Sequence, residues 1–153
     1  MEYFVFILAI LLLVGSISIA MPSKSSRKIS KIRMEAQMMG IKISSTIYGK
    51  NKFKNKNSNP VSYQIKNTTL YKEGHFIRDK TDLILYSPVK LKYVDNFVSI
   101  EKQLKSLSKS IDELIFTESF IFFLWKELDG LKELKNILDE LGNLKNFKIN
   151  LPT

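Results

Sequence analysis

The stretch that decides the fold is Ile111–Trp125, with the sequence IDELIFTESFIFFLW. It is rich in aromatic and β-branched residues, which are typical of buried strands. Glu118-Ser119 interrupts the apolar run, so we predict two strands joined by a tight turn. A single helix is the alternative, because periodicity cannot decide the state of a continuous apolar run. The seven uncharged residues Ser119–Trp125 are too few to cross a membrane.

Amphipathic helices are predicted on both sides of this hairpin. Upstream, apolar residues at spacings of three, four and three predict a helix over 96–109. These residues are Phe97, Ile100, Leu104 and Leu107. Downstream, a second stripe predicts a helix over 130–145 that covers the sheet. Its members are Leu131, Leu134, Ile137, Leu138 and Leu141.

Three earlier strands are predicted from the alternation of apolar and polar residues. The first runs from Ile41 toward Tyr48, the second covers 61–71, and the third begins at Leu83. Pro88 has no amide hydrogen, which indicates an edge strand or a bulge, and we expect pairing to resume at Leu91–Val94.

Two connections between these strands carry turn and loop residues. Lys72–His75 is predicted to be a turn because it contains Gly74. Residues 49–60 are rich in lysine and asparagine and are predicted to be a flexible loop, since their lysines repel one another.

The chain begins with an uncharged run of 19 residues, Tyr3–Met21. A helix of that length measures about 28 Å, close to the roughly 30 Å hydrocarbon core of a bilayer. We therefore expect residues 1–22 to be a transmembrane anchor with its exit at Pro22. A cleaved signal peptide is the alternative, since Ser18-Ile19-Ala20 resembles a cleavage site, but the basic segment of a signal peptide is missing.

A basic segment follows the apolar run. Residues 22–56 hold ten lysines and arginines and one acidic residue, Glu35. Residues 23–40 are predicted to be a basic juxtamembrane helix, with an apolar stripe that includes Ile32 and Ala36 and with Gly40 at its end. Cations near a membrane helix stay in the cytoplasm. They also attract anionic lipid headgroups, and five residues are predicted to make this contact: Lys24, Arg27, Lys28, Lys31 and Arg33.

These elements define the predicted architecture and location. The fold class is α+β: one N-terminal transmembrane helix, then a small domain of mostly antiparallel sheet with about three helices, in the order α-βββ-α-ββ-α. Residues 41–149 form the α+β domain, which is expected in the bacterial cytoplasm, while the N-terminus lies outside the inner membrane.

Part of this N-terminal pattern resembles a known family. The pattern covers residues 22–43 and consists of Pro22-Ser23, Arg27, Arg33, Ala36, Gly40-Ile41 and Ile43. It resembles uncharacterised single-pass inner-membrane proteins of gammaproteobacteria, which have an N-terminal anchor, a Pro-Ser exit, a basic helix ending in glycine and a small α+β domain. The resemblance implies no activity, cofactor or partner.

The sequence gives no motif for catalysis, a cofactor or a metal. Cysteine is absent, and the only histidine, His75, is predicted to lie in a surface turn. The acidic pairs Asp112-Glu113 and Asp139-Glu140 are expected on the solvated surface, because adjacent side chains point apart. The glycines are scattered and form no phosphate-binding loop.

The sequence therefore favours a membrane-tethered, non-enzymatic interaction or accessory protein. Its expected partners are the lipid bilayer, through anionic headgroups, and a protein that the sequence does not identify. Two alternatives stay open: an enzyme whose site the sequence does not reveal, and a membrane-held nucleic-acid-binding protein. The second is disfavoured because only Tyr48 and Phe53 are interleaved with the lysines as stacking aromatics.

Overall fold

A computed structural model describes residues 2–20, 22–44, 61–94 and 97–144. Within these ranges it has four α-helices and six strands. The helices are α1 (Glu2–Ala20), α2 (Lys24–Met38), α3 (Phe97–Ser106) and α4 (Leu131–Asn143). The strands are β1 (Lys42–Ser44), β2 (Ser62–Lys66), β3 (Gly74–Asp79), β4 (Asp82–Ser87), β5 (Ile111–Phe116) and β6 (Phe120–Trp125). Two 3₁₀ turns, Val89–Tyr93 and Glu127–Asp129, precede α3 and α4.

The hairpin predicted for 111–127 is confirmed and forms the middle of the sheet. Leu114 lies opposite Phe123, and the amide of Thr117 donates to the carbonyl of Phe120 at 2.8 Å to close the turn. β6 pairs with β2, and β5 pairs with β3, giving the order β1-β2-β6-β5-β3-β4. All these pairs are antiparallel, so the predicted α+β class with an antiparallel sheet is confirmed.

The two faces of the sheet have different neighbours because strand side chains alternate between them. One face joins the buried residues of α2, α3 and α4 in a single hydrophobic core. Tyr63, Leu114 and Phe123, all with no exposed surface, lie in it. The other face holds a separate cluster of Ile115, Phe122 and Leu124. Both predicted amphipathic helices, observed as α3 and α4, thus cover the first face.

The ends of α2 follow its sequence. The hydroxyl of Ser23 caps the helix by accepting from the amide of Ser26 at 3.1 Å. Gly40 has a φ of 81°, a backbone conformation that glycine adopts without strain, and the predicted glycine stop is confirmed.

The prediction of three strands before the helix α3 was wrong, because the sequence analysis did not predict β3. The residues predicted as the turn Lys72–His75 instead lead into β3, and the order contains four strands there. Gly74 begins β3, where a Cβ atom would come within 2.8 Å of the ring of Phe76. The glycine therefore permits close packing inside a strand and does not mark a turn.

The predicted second strand, 61–71, ends early because Asn67 closes a turn. Its side-chain amide donates to the carbonyls of Tyr71 and Thr117, each at 2.6 Å, and its carbonyl oxygen accepts from the amide of Thr69 at 2.9 Å. The expected pairing at Leu91–Val94 was also wrong, since Val89–Tyr93 is a 3₁₀ turn. Pro88 does follow an edge strand, as predicted, because β4 is the outermost strand.

The transmembrane prediction for residues 1–22 was wrong. Within the part of the chain that the structure describes, no helix is both long and apolar enough to cross a membrane. The predicted loop 49–60 and the continuation of the first strand toward Tyr48 lie outside the described residues.

Candidate functional site

The apolar N-terminal helix is the largest exposed hydrophobic feature among the described residues. Every described side chain of α1, over 3–16, is exposed. Among its large apolar residues, the exposed fraction ranges from 50% for Leu8 and Ile10 to 86% for Tyr3. Because the apolar residues surround the helix, it has no polar face to turn toward water. Surfaces of this kind mark a site of contact with lipid or with another protein.

Four of the five predicted basic contact residues share one exposed stripe. Lys24, Arg27, Lys28 and Lys31 are all exposed and follow the i, i+3, i+4, i+7 spacing of a single helix face. We call these four residues the basic stripe. Lys28 also donates from Nζ to the carbonyl of Leu128 at 2.6 Å, so this part of the stripe lies beside the 3₁₀ turn Glu127–Asp129.

Arg33, the fifth predicted residue, is half-buried and binds within the protein. Its Nε donates to Glu127 Oε1 at 2.7 Å and its Nη2 donates to Glu127 Oε2 at 2.8 Å. This two-pronged hydrogen bond raises the pKa of Arg33, so that the guanidinium stays charged. The structure therefore gives Arg33 a different role from the basic stripe: it holds α2 against the 3₁₀ turn Glu127–Asp129.

Tyr63 completes this attachment from the sheet. Its hydroxyl donates to Glu127 Oε1 at 2.8 Å. Burial is the main cause of a raised pKa for Tyr63, and the hydrogen bond to Glu127 adds to it. Trp125 packs edge-on against the Tyr63 ring at 5.7 Å between centroids. Together with the burial of Ile32 and Ala36 in the core, these contacts fix the direction in which the basic stripe points.

An apolar cavity of about 350 Å³ opens at the other end of the domain, between β3, the first 3₁₀ turn and α3. Its described lining is Leu70, Tyr71, Lys72, Glu73, Phe76, Leu91, Val94, Phe97, Ile100 and Glu118. The Tyr71 hydroxyl donates to Gln103 Oε1 at 3.0 Å, and burial raises the pKa of Tyr71 to about 12. The hydroxyl is therefore neutral and engaged at physiological pH. No local sequence pattern indicates this cavity, because its described lining residues come from four separate segments.

His75 occupies a different place from the predicted one. It is buried in β3, where its Nε2 forms a hydrogen bond with Glu113 Oε1. The predicted surface turn and the predicted solvated Glu113 were both wrong. The spacing of His75 and Ile77 could have indicated a strand, since residues two apart in a strand point to the same face. Among the described residues, no group of three or more possible metal-ligating side chains occurs.

The partly buried carboxyl of Asp112 in β5 tests whether burial of a charged group destabilises this sheet. Burial raises its pKa, against the opposing attraction of Lys126 and Arg78. A raised pKa means that the folded state binds the proton more tightly than the unfolded state. The resulting stability is complete at low pH and is lost as pH rises through the raised pKa.

Asp112→Asn is therefore expected to raise the melting temperature at pH 7 by about 1–3 °C. The gain should disappear near pH 3, below the ordinary aspartate pKa of about 3.9, where Asp112 is itself neutral. Thermal unfolding at both pH values measures this, with the exposed Asp139→Asn as the matched control. A loss of stability at pH 7 would show that the attraction of Lys126 and Arg78 outweighs burial.

Comparison with known proteins gave no match: no protein family, curated protein or solved structure is similar to this chain. The resemblance of residues 22–43 to gammaproteobacterial inner-membrane proteins thus stays a prediction.

Proposed function

We propose that this chain is a membrane-associated, non-enzymatic interaction protein that holds its α+β domain at a lipid surface. Helix α1 buries its apolar residues in the lipid, and the basic stripe of α2 faces anionic headgroups. The observation that carries the proposal is the exposure of every described side chain of α1. A helix that is apolar on all sides is stable when it is buried in a protein core or in lipid, and α1 has no protein cover over 3–16.

The apolar contact of α1 and the charged contact of the basic stripe each contribute to the free energy of membrane binding. Full burial of one leucine, isoleucine or phenylalanine contributes about 1.5–3 kcal/mol, so a few residues of α1 provide strong binding. Each cation near an anionic surface adds about 1 kcal/mol, so the basic stripe adds about 4 kcal/mol and makes binding depend on lipid charge. Because anionic lipids are enriched in the cytoplasmic leaflet, we place the protein on the cytoplasmic face of a bacterial inner membrane.

The rigid attachment of α2 supports an accessory role. Since Arg33 and Glu127 fix α2 on the domain, a membrane contact through the basic stripe orients the whole sheet relative to the lipid. A domain held in this way presents the same surface to any protein partner on the membrane. The partner itself is not identified by any described surface.

Neutralising the basic stripe tests the charge contribution. The variant Lys24→Gln, Arg27→Gln, Lys28→Gln, Lys31→Gln is expected to lower binding to anionic vesicles about 100-fold or more, and to leave binding to neutral vesicles unchanged. Flotation of the full chain with phosphatidylcholine vesicles, with and without phosphatidylglycerol, measures both values.

A matched control removes the same number of charges elsewhere. Lys102→Gln, Lys105→Gln, Lys132→Gln, Lys135→Gln lie on exposed positions of α3 and α4. If this control lost as much binding as the first variant, net charge and not the basic stripe would be responsible. Equal binding of the unaltered chain to neutral and anionic vesicles would also contradict the proposal. A chain that bound DNA tightly and did not bind vesicles would favour the nucleic-acid alternative.

A further inference from the structure

We propose that the apolar cavity beside α3 binds the hydrocarbon chain of a single-chain, zwitterionic amphiphile such as a lysophospholipid. This inference goes beyond the proposed function, because the cavity lies on the domain and shares no described residue with α1 or the basic stripe. It would hold even if α1 contacted a protein in place of lipid.

The chemistry of the lining selects a hydrocarbon. Aliphatic and aromatic side chains form the walls, with Phe76 and Ile100 among the buried ones. Among the described lining residues, the one hydroxyl is that of Tyr71, and it already donates to Gln103. A polar group inserted between the described apolar residues would lose hydrogen bonds to water at a cost of about 1–3 kcal/mol. The inserted part of the ligand is therefore apolar along its length.

The size of the cavity selects a single chain. Pockets for small molecules measure about 300–1,000 Å³, and the cavity, at about 350 Å³, is near the lower limit. A two-chain lipid or a large ring system would not be enclosed. A flexible chain also adapts to walls that combine a 3₁₀ turn, a helix and a strand.

The rim of the cavity selects the headgroup. Glu73 is paired with Lys90 Nζ at 2.5 Å, so their charges cancel. Lys72 and Glu118 remain as exposed charges of opposite sign at the opening. A headgroup with one positive and one negative charge complements this rim, whereas an anion or a cation alone meets one attractive and one repulsive charge.

The experiment uses the full chain and a photoreactive probe. The probe is a lysophosphatidylcholine with a diazirine at the end of its acyl chain, and cross-linked peptides are identified by mass spectrometry. We expect cross-links in the segments 70–76, 91–94 and 97–100. Unlabelled lysophosphatidylcholine should compete at least tenfold better than a fatty acid anion or an alkylammonium of equal chain length.

Two sets of variants separate binding in the cavity from general adhesion to apolar surface. Leu91→Trp and Val94→Trp fill the cavity and should reduce its cross-links at least tenfold, while Val98→Trp, 75% exposed on α3 and not part of the lining, should not. Cross-links to α1 should be the same in all three and so report equal exposure to the probe, while melting temperatures close to that of the unaltered chain report an intact domain. Lys72 is exposed, and Lys72→Glu makes the described rim more negative. This variant should bind the alkylammonium better, relative to lysophosphatidylcholine, than the unaltered chain does.

The results that would overturn the inference differ from those that would overturn membrane association. Cross-links confined to α1, or cavity cross-links unchanged by Leu91→Trp and Val94→Trp, would refute the cavity as a lipid site and leave vesicle binding intact. Equal competition by the fatty acid anion would refute the choice of a zwitterionic headgroup. Normal cavity cross-links in a chain that fails to float with vesicles would refute the proposed function alone.

Discussion

Replacing Leu11, Leu12 and Leu13 by serine is expected to lower the affinity of the full chain for neutral lipid vesicles by at least about 10³-fold. The three side chains are 62%, 67% and 63% exposed. Moving each from water into an apolar medium contributes about 1.5–3 kcal/mol, and every 1.4 kcal/mol corresponds to a factor of about ten in affinity. Flotation with phosphatidylcholine vesicles measures the effect without a contribution from the basic stripe.

The matched control tests whether any loss of exposed apolar surface has the same effect. Val89, Tyr93 and Val98 are 59%, 83% and 75% exposed and lie on the domain. Changing these three residues to serine removes a similar apolar area but should leave flotation within about threefold of the unaltered chain. If the leucine variant floated as well as the unaltered chain, α1 would not be the lipid contact, and a protein groove that buries α1 would replace the bilayer in the proposal.

The local parts of the fold could be predicted from sequence because they depend on short-range patterns. The β5–β6 hairpin follows from two apolar runs separated by Glu118-Ser119, and α4 follows from a stripe at helical spacing. α2 could be bounded at both ends, since Ser23 caps it and Gly40 adopts the left-handed backbone that ends it. In each case a few adjacent residues carry the whole signal.

Other features could not be predicted because they depend on residues far apart in the chain. Arg33 and Glu127 are separated by 94 positions, so nothing near Arg33 indicates that its charge is used inside the protein. The partner of His75, Glu113, lies 38 positions away, so the residues around His75 indicate only a turn and not a buried hydrogen bond.

Glu127→Ala is expected to destabilise the domain by about 2–3 kcal/mol, which corresponds to a fall in melting temperature of about 4–10 °C for a chain of this length. The change removes both hydrogen bonds from Arg33 and leaves the hydroxyl of Tyr63, a residue with no exposed surface, without its acceptor. The expected loss is below that of a fully buried ion pair because the Arg33 side chain is 36% exposed and partly screened by solvent. Thermal and urea unfolding of the full chain in one detergent measure it.

Comparison with Glu101→Ala separates this effect from the loss of one negative charge. Glu101 forms only a solvent-exposed pair with Lys105 at 3.9 Å, so its replacement should change the free energy of unfolding by less than about 0.5 kcal/mol. A double-mutant cycle with Arg33→Ala should give a coupling energy of about 1–2 kcal/mol, because the two residues bind each other directly. If Glu127→Ala melted like Glu101→Ala, the pair of Arg33 and Glu127 would contribute little to the attachment of α2. That attachment would then rest on the buried Ile32 and Ala36 and on the hydrogen bond from Lys28 to the carbonyl of Leu128, and these contacts would set the direction of the basic stripe.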